Sequence, residues 1–205
     1  MRKYIAMPLF CGAVIWLSAL TANATNLPED FFIIGKVKIG ETTFEEIQKN
    51  YGKADPYRLS KNDGSEKYIC FYSQQRSPRQ YMVFETGEMG GYEIVTGFRL
   101  TTKAHKSCVE LKADSSYLNQ VNGVSIGDSR SQFLNKFQVR FKSIGKSKIT
   151  YENISQRNAT TEEIERFKKT WPDTKDFNFD VTVNIAAQFQ NQRLVDFYIR
   201  KIESN

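Results

Sequence analysis

Two stretches of this chain follow one pattern, and that repetition limits its folding options more than any other feature. The first is Val37-Lys38-Ile39-Gly40-Glu41-Thr42, and the second is Val124-Ser125-Ile126-Gly127-Asp128-Ser129. Each reads valine, any residue, Ile-Gly, an acid, a hydroxyl residue, and then a short amphipathic run. Internal self-similarity of this kind points to a structural unit used twice. Gly40 and Gly127 suit a tight turn that needs positive φ. Thr42 or Thr43, and Ser129, stand where an N-cap hydroxyl meets the first free amides of a helix. Glu45 and Glu46 then fall at the positive end of the helix dipole. Phe44, Ile47 and Tyr51 share one helical face, as do Phe133, Leu134 and Phe137 in the second stretch. Gly52 closes the first helix. The second has no such glycine, and its end is less defined.

Alternating segments follow each predicted helix. In the first half they are Tyr68–Tyr72, Gln80–Phe84 and Glu93–Leu100, with Gly87, Gly90 and Gly91 marking the last turn. In the second half they are Lys148–Tyr151, Phe177–Phe189 and Arg193–Ile202. The expected fold class is therefore α+β: two tandem repeats, each a helix packed on a three- to four-stranded antiparallel meander. The repeats span 25–119 and 120–205, with the boundary near Asn119. Residues 160–176 interrupt the second repeat. Thr160 or Thr161 caps a short helix there, Ile164, Phe167 and Trp171 share a face, and Pro172 stops it. Trp171 reads as a packing anchor rather than a ligand contact.

The first 24 residues read as a cleavable signal peptide. Arg2 and Lys3 precede an apolar run from Ile5 to Leu20, and Ala22 and Ala24 are small residues placed for cleavage. The alternative, a membrane anchor, needs about 20 apolar residues, and this run is shorter. Cys11 is not placed for a lipid anchor. Removing residues 1–24 leaves 205 − 24 = 181 residues, with 27 basic against 23 acidic side chains. The resulting +4 charge is interspersed, and no basic stripe suggests nucleic acid. No stable membrane insertion is expected after cleavage, and the expected location is periplasmic or secreted. Cys70 and Cys108 remain, an even count that in an oxidising compartment predicts one bridge. The alternative is two buried thiols. His105 is the sole histidine and no Cys-x-x-Cys occurs, so neither a metal nor another cofactor is expected.

The segment Ile39-Gly40-Glu41-Thr42-Thr43, with Ile47 and Tyr51-Gly52 after it, resembles the repeat unit of the small exported BamE-like (SmpA/OmlA) proteins. The beta-lactamase inhibitor proteins, which carry two such units in tandem, are the closer match in layout. The resemblance covers Val37–Leu100 and Val124–Ile202. It implies a non-enzymatic role in binding another protein, and it transfers no catalytic residues. Two departures stand out: no lipid-attachment cysteine, and one helix per unit where the family has a helical hairpin.

The residues offer little chemistry. No Gly-x-Ser-x-Gly elbow, phosphate loop or dinucleotide fingerprint occurs. His105 lies in a polar stretch and reads as a surface residue. Glu85, Glu88 and Glu93 flank a turn, where solvated carboxylates are expected. Asn153 and Asn158 begin glycosylation sequons, a frequent chance match. Strand alternation is more informative. If Ile69, Phe71, Ile94, Phe98, Leu100, Val195, Phe197 and Ile199 face the core, then Tyr68, Cys70, Tyr72, Arg99, Asp196, Tyr198 and Arg200 face away. Tyr and Arg favour protein interfaces, since they join large area with hydrogen bonding. The candidate partner-binding residues are Tyr68, Tyr72, Arg99, Tyr198 and Arg200 on the sheet, with Arg76 and Arg79 in the loop Ser73–Arg79. The expected function is an exported, non-enzymatic protein-binding module, such as an inhibitor of another secreted or periplasmic protein. An envelope-assembly or structural accessory is the alternative, and a small hydrolase is the least supported reading.

Overall fold

The computed structural model describes residues 27–58, 66–74, 77–104, 107–111, 121–173 and 177–204. The expected signal peptide at 1–24, Arg76, His105 and the expected boundary at Asn119 lie outside the described residues.

A small hairpin of β1 (Ile33–Ile34) and β2 (Val37–Lys38) leads into the first motif. Gly40 takes φ +93° and Gly127 takes φ +94°, and a Cβ at either would meet nothing within 4 Å. Backbone sign, not space, is what requires glycine at both turns. Helix α1 (Phe44–Tyr51) starts at Thr43, whose hydroxyl accepts from Glu46 N while the Glu46 carboxylate accepts from Thr43 N. The cap is therefore Thr43; Thr42 instead accepts from Lys38 N, tightening the turn. Helix α2 (Arg130–Leu134) repeats the capping box with Ser129 and Gln132. Helix α3 (Thr161–Thr170) does so with Thr160 and Glu163. Such reciprocal caps satisfy amides that no helical carbonyl reaches.

The strands are β3 (Lys67–Ser73), β4 (Gln80–Thr86), β5 (Gly97–Thr101), β6 (Val109–Glu110), β7 (Lys142–Ile144), β8 (Lys148–Asn158), β9 (Asn178–Gln190) and β10 (Arg193–Ser204). They form one eight-stranded sheet in the order β6-β3-β4-β5-β10-β9-β8-β7. All pairs are antiparallel except β3 with β6.

This overturns the expected fold class. The protein is mostly β, with one large mixed sheet, not two helix-on-meander repeats. The cause lies at β5 and β10. Each is the last strand of its meander, and each offers the other an unpaired edge. They pair from Thr101↔Asp196 to Gly97↔Arg200. An open edge is a hazard that pairing removes, so the meanders fuse. The helices are also too small to cover separate sheets: α2 is five residues long, and α3 buries none.

One apolar core lies on one face and spans both halves, from Phe31 to Ile199. Ile69, Phe71, Met82, Phe84, Phe98, Leu100, Ile185, Phe197 and Ile199 supply the sheet side. Tyr51 of α1 meets Phe71 at 6.3 Å between ring centroids. Phe133 of α2 meets Phe197 at 5.8 Å and Phe189 at 5.7 Å. Each motif turn is tied to the lead-in of a central strand: Gly40 N donates to Val95 O, and Gly127 N to Leu194 O. Both tie points are core residues, and both correct the expected alternation. Val95 is buried where Ile94 was expected. Leu194 is buried where Val195 was expected, because the β9–β10 register shifts between Leu194 and Asp196. Trp171 is exposed, 5.9 Å from Phe167, while Phe167 stacks on Phe177 at 4.2 Å.

Candidate interaction face of the sheet

The face opposite the core can be read as rows of cross-strand neighbours. One row runs Tyr72, Tyr81, Thr101, Asp196, Gln188, Lys148. The next runs Cys70, Val83, Arg99, Tyr198, Ala186, Thr150. A third runs Tyr68, Glu85, Gly97, Arg200, Asn184, Glu152. The sheet thus brings together five of the candidate residues: Tyr68, Tyr72, Arg99, Tyr198 and Arg200. Arg79 joins them, its guanidinium 4.9 Å from the centre of the Tyr72 ring.

The row through Gly97 has distinctive chemistry. Glu85 and Arg200 lie two strands apart, about 9–10 Å at ordinary strand spacing. The residue between them has no side chain, so theirs close over its backbone. Arg200 Nε comes within 3.3 Å of Glu85 Oε1, and Arg200 Nη2 lies 3.0 Å from Glu66 Oε1. The Nε contact is an ion pair without hydrogen-bond alignment. Tyr198 donates its hydroxyl to Glu85 Oε1 at 2.6 Å, and Tyr68 donates to Glu66 Oε2 at 2.7 Å. A Cβ on Gly97 would lie 2.7 Å from the Glu85 Cγ, Cδ and Oε1 atoms.

Glu85 is therefore buried, at 7% exposure, in the wall of β4. That corrects the expectation of a solvated turn carboxylate. Burial pushes its carboxyl above the ordinary range, against the hydrogen bond from Tyr198 and the charge of Arg200. Burial, with the nearby Glu85 charge, also pushes the Tyr198 phenol up. Glu66, Glu85 and Gly97 were missed as site residues. A glycine inside an alternating strand does signal close approach of another group, but it does not name the group.

The site is not uniformly open. Tyr68 was expected to be exposed, yet it is buried at 8%. The Tyr57 ring lies 5.9 Å from it, and Tyr57 and Tyr68 exchange backbone hydrogen bonds. Tyr68, Cys70, Tyr81 and Val83 form a second small apolar cluster there, against Tyr57, Tyr72 and Cys108. Cys70 is bonded to Cys108, with Cα atoms 4.4 Å apart, which fixes the entry to β6 beside β3. Burial drives the Tyr57 phenol up to about 12.

Beyond this cluster the face opens. Ala186 leaves a hollow between its neighbours Tyr198 and Thr150. The depression has a volume of about 420 Å³ and is lined by Arg99, Tyr198, Arg200, Asn184, Lys148 and Glu152, among others. Arg99 is half-buried over the Tyr198 ring, 5.0 Å from its centre, with Asp196 3.9 Å away. The depression is polar and shallow, with both charge signs on its rim. Among the described residues no cluster suited to holding a metal ion occurs, and no helix is long and apolar enough to cross a membrane.

Comparison of the chain with protein-family models, with curated proteins and with solved structures finds no match.

Proposed function

We propose that this protein is an exported, non-enzymatic binding module that holds another protein against the outer face of its sheet. One observation carries the proposal. Across β5, β10, β9 and β8 the outer face presents a shallow hollow rimmed by Arg99, Lys148, Glu152 and Tyr198, while the opposite face is packed into the core. A flat tyrosine and arginine surface on a rigid sheet suits protein contact, in which aromatic and guanidinium groups supply most of the binding energy. The half-buried phenol and guanidinium are already held by Glu85, Glu66 and Asp196, so little side-chain freedom is lost on binding. The sequence resemblance to exported inhibitor and assembly proteins, the signal-like leader and the Cys70–Cys108 bridge support export and a partner outside the cytoplasm.

The test is affinity capture from envelope and periplasmic extracts of the source cells. The bait is the mature protein, beside an Arg99→Glu/Lys148→Glu variant of equal melting temperature. A partner held by the wild type and lost from the variant supports the reading. A soluble enzyme whose activity then falls indicates inhibition, whereas an outer-membrane complex indicates an assembly role. Identical capture by both baits, or none by either, would reject the outer face as the binding surface.

A further inference from the structure

Strand β8 runs from Lys148 to Asn158, but its outer neighbour β7 pairs only with Lys148, Ile149 and Thr150. Among the described residues, Glu152 to Asn158 therefore forms an edge of the sheet. Antiparallel alternation fixes which groups face outward. Odd-numbered residues point to β9, as Ala159 N to Phe177 O and Phe189 N to Ser147 O show. The N–H and C=O groups of Glu152, Ile154, Gln156 and Asn158 thus point away from the sheet. The Asn158 carbonyl also accepts from Arg157 Nη1 of its own strand, at 3.3 Å.

Natural edges are blunted by charged side chains, lysine above all, by proline, a bulge, an inward-pointing charge or a covering element, and here only Glu152 at one end and Arg157 near the other serve that way. This stretch has no lysine or proline, and its register with β9 is unbroken. Its one cation, Arg157, is turned to the core side, bonded to Glu163 and Glu203. At the middle stands Ile154, 69% exposed, the most exposed large apolar side chain among the described residues.

We infer that this edge pairs with the same edge of a second copy, antiparallel about a two-fold axis at Ser155, so that one sheet runs through both. The register follows from what bounds the outward-facing groups of Glu152, Ile154, Gln156 and Asn158. Beyond Glu152 lies β7, and beyond Asn158 the chain turns into the α3 cap. A pairing shifted toward β7 drives Asn158 of one copy into β7 of the other; one shifted the opposite way leaves outward groups unpaired. Centred on Ser155, Glu152 faces Asn158 and Ile154 faces Gln156. The two Ile154 side chains become diagonal neighbours on the outer face, about 7–8 Å apart at the backbone and within side-chain reach. Each is thereby shielded by its own twin, and no further partner has to supply an apolar residue. The axis stands perpendicular to the sheet, so both hollows open on the same side. The dimer would then be bivalent toward a partner with two sites.

Light scattering and sedimentation of the mature, bridge-intact protein up to about 0.5 mM test this. Twice the monomer mass is expected for the wild type. Ile154→Pro should be monomeric and, at a concentration low enough to dissociate the wild type, should melt with it, because the lost N–H faces outward and contributes nothing to β9. Ser155→Cys is the second readout. Ser155 lies opposite itself at a non-hydrogen-bonded position, where Cα atoms are about 4.5 Å apart, within disulfide range. Oxidation should cross-link that variant and leave Ser143→Cys, on β7, uncross-linked. A wild type that stays monomeric, a dimer that survives Ile154→Pro, or equal cross-linking of the two cysteine variants would each overturn the inference.

Discussion

Replacing Gly97 by alanine should destabilise the protein through Glu85, and removing Glu85 should remove most of that cost. The added Cβ would stand 2.7 Å from three Glu85 atoms, where ordinary contact is 3.4–4 Å. Glu85 must therefore move by roughly 0.7–1.3 Å, and it has little room, being held by Tyr198 and Arg200. Overpacking of this kind costs about 1–3 kcal/mol. Displacing the carboxylate also leaves the half-buried Tyr198 hydroxyl without its acceptor, about 1–3 kcal/mol more. Gly97→Ala should thus cost about 2–5 kcal/mol. Glu85→Ala alone should cost about 1–3 kcal/mol, from the same unpaired hydroxyl. With Glu85 already truncated the new methyl meets no clash, and an interior strand glycine is itself weakening. The double variant should then match Glu85→Ala to within about 0.5 kcal/mol, a coupling of at least about 1.5 kcal/mol. Urea unfolding followed by circular dichroism on the bridge-intact proteins measures each corner of the cycle. Additive losses would show that Gly97 is not glycine on account of Glu85.

Reducing the Cys70–Cys108 bridge frees a loop of sequence separation 38, which the chain-entropy model values at about 4 kcal/mol. For a chain of this size the melting temperature should fall by about 8–15 °C; a fall below 3 °C would refute the bridge as a stabiliser. Glu163 is held down to about 2, first by its hydrogen bonds with Arg157. Its folded value lies below its unfolded one, so its stabilisation is present above about pH 4.5 and fades as pH falls toward 2. After allowance for solvent screening of a partly exposed pair, about 1–2 kcal/mol should be lost across that window, and Glu163→Gln should flatten the profile. Glu85 has the opposite sign, since burial raises it. Its ionisation weighs against the fold as pH rises above about 4.5, so Glu85→Gln should gain on the wild type as pH climbs from that point; a constant difference would contradict a raised carboxyl.

Local chemistry was legible in the chain where it depends on neighbours in sequence. The positive φ of Gly40 and Gly127, a hydroxyl cap at Thr42 or Thr43 and at Ser129, and the helix ended by Pro172 follow from single residues and their near neighbours, while the choice of Thr43 needed the structure. The faces of β3, β5 and, past the register shift at Leu194/Asp196, β10 also followed, because alternation of Ile69/Phe71 against Tyr68/Tyr72 survives any strand order. What failed depended on partners distant in sequence. No pattern within Gly97–Thr101 or Arg193–Ser204 says that these strands take each other as neighbours, and that pairing decides between two small domains and one sheet. The burial of Glu85 failed for the same reason. A turn begins two residues after it, at Gly87, while its neighbours in space are Tyr198 and Arg200 from the other half. Likewise Tyr68 reads as exposed until Tyr57 is seen to cover it.

The seam between β5 and β10 joins fold and proposed function. Backbone pairing there would hold the halves together whatever the side chains, but the outer face above it is built by both. Arg99 from β5 lies over Tyr198 from β10, and Glu85 from β4 reaches Arg200 from β10 only across the bare backbone of Gly97. Neither half alone carries the paired groups that rim the hollow. A surface so constituted exists only when the halves are fused, so the same pairing that joins the two meanders into one sheet also makes the continuous face on which the proposed partner would sit.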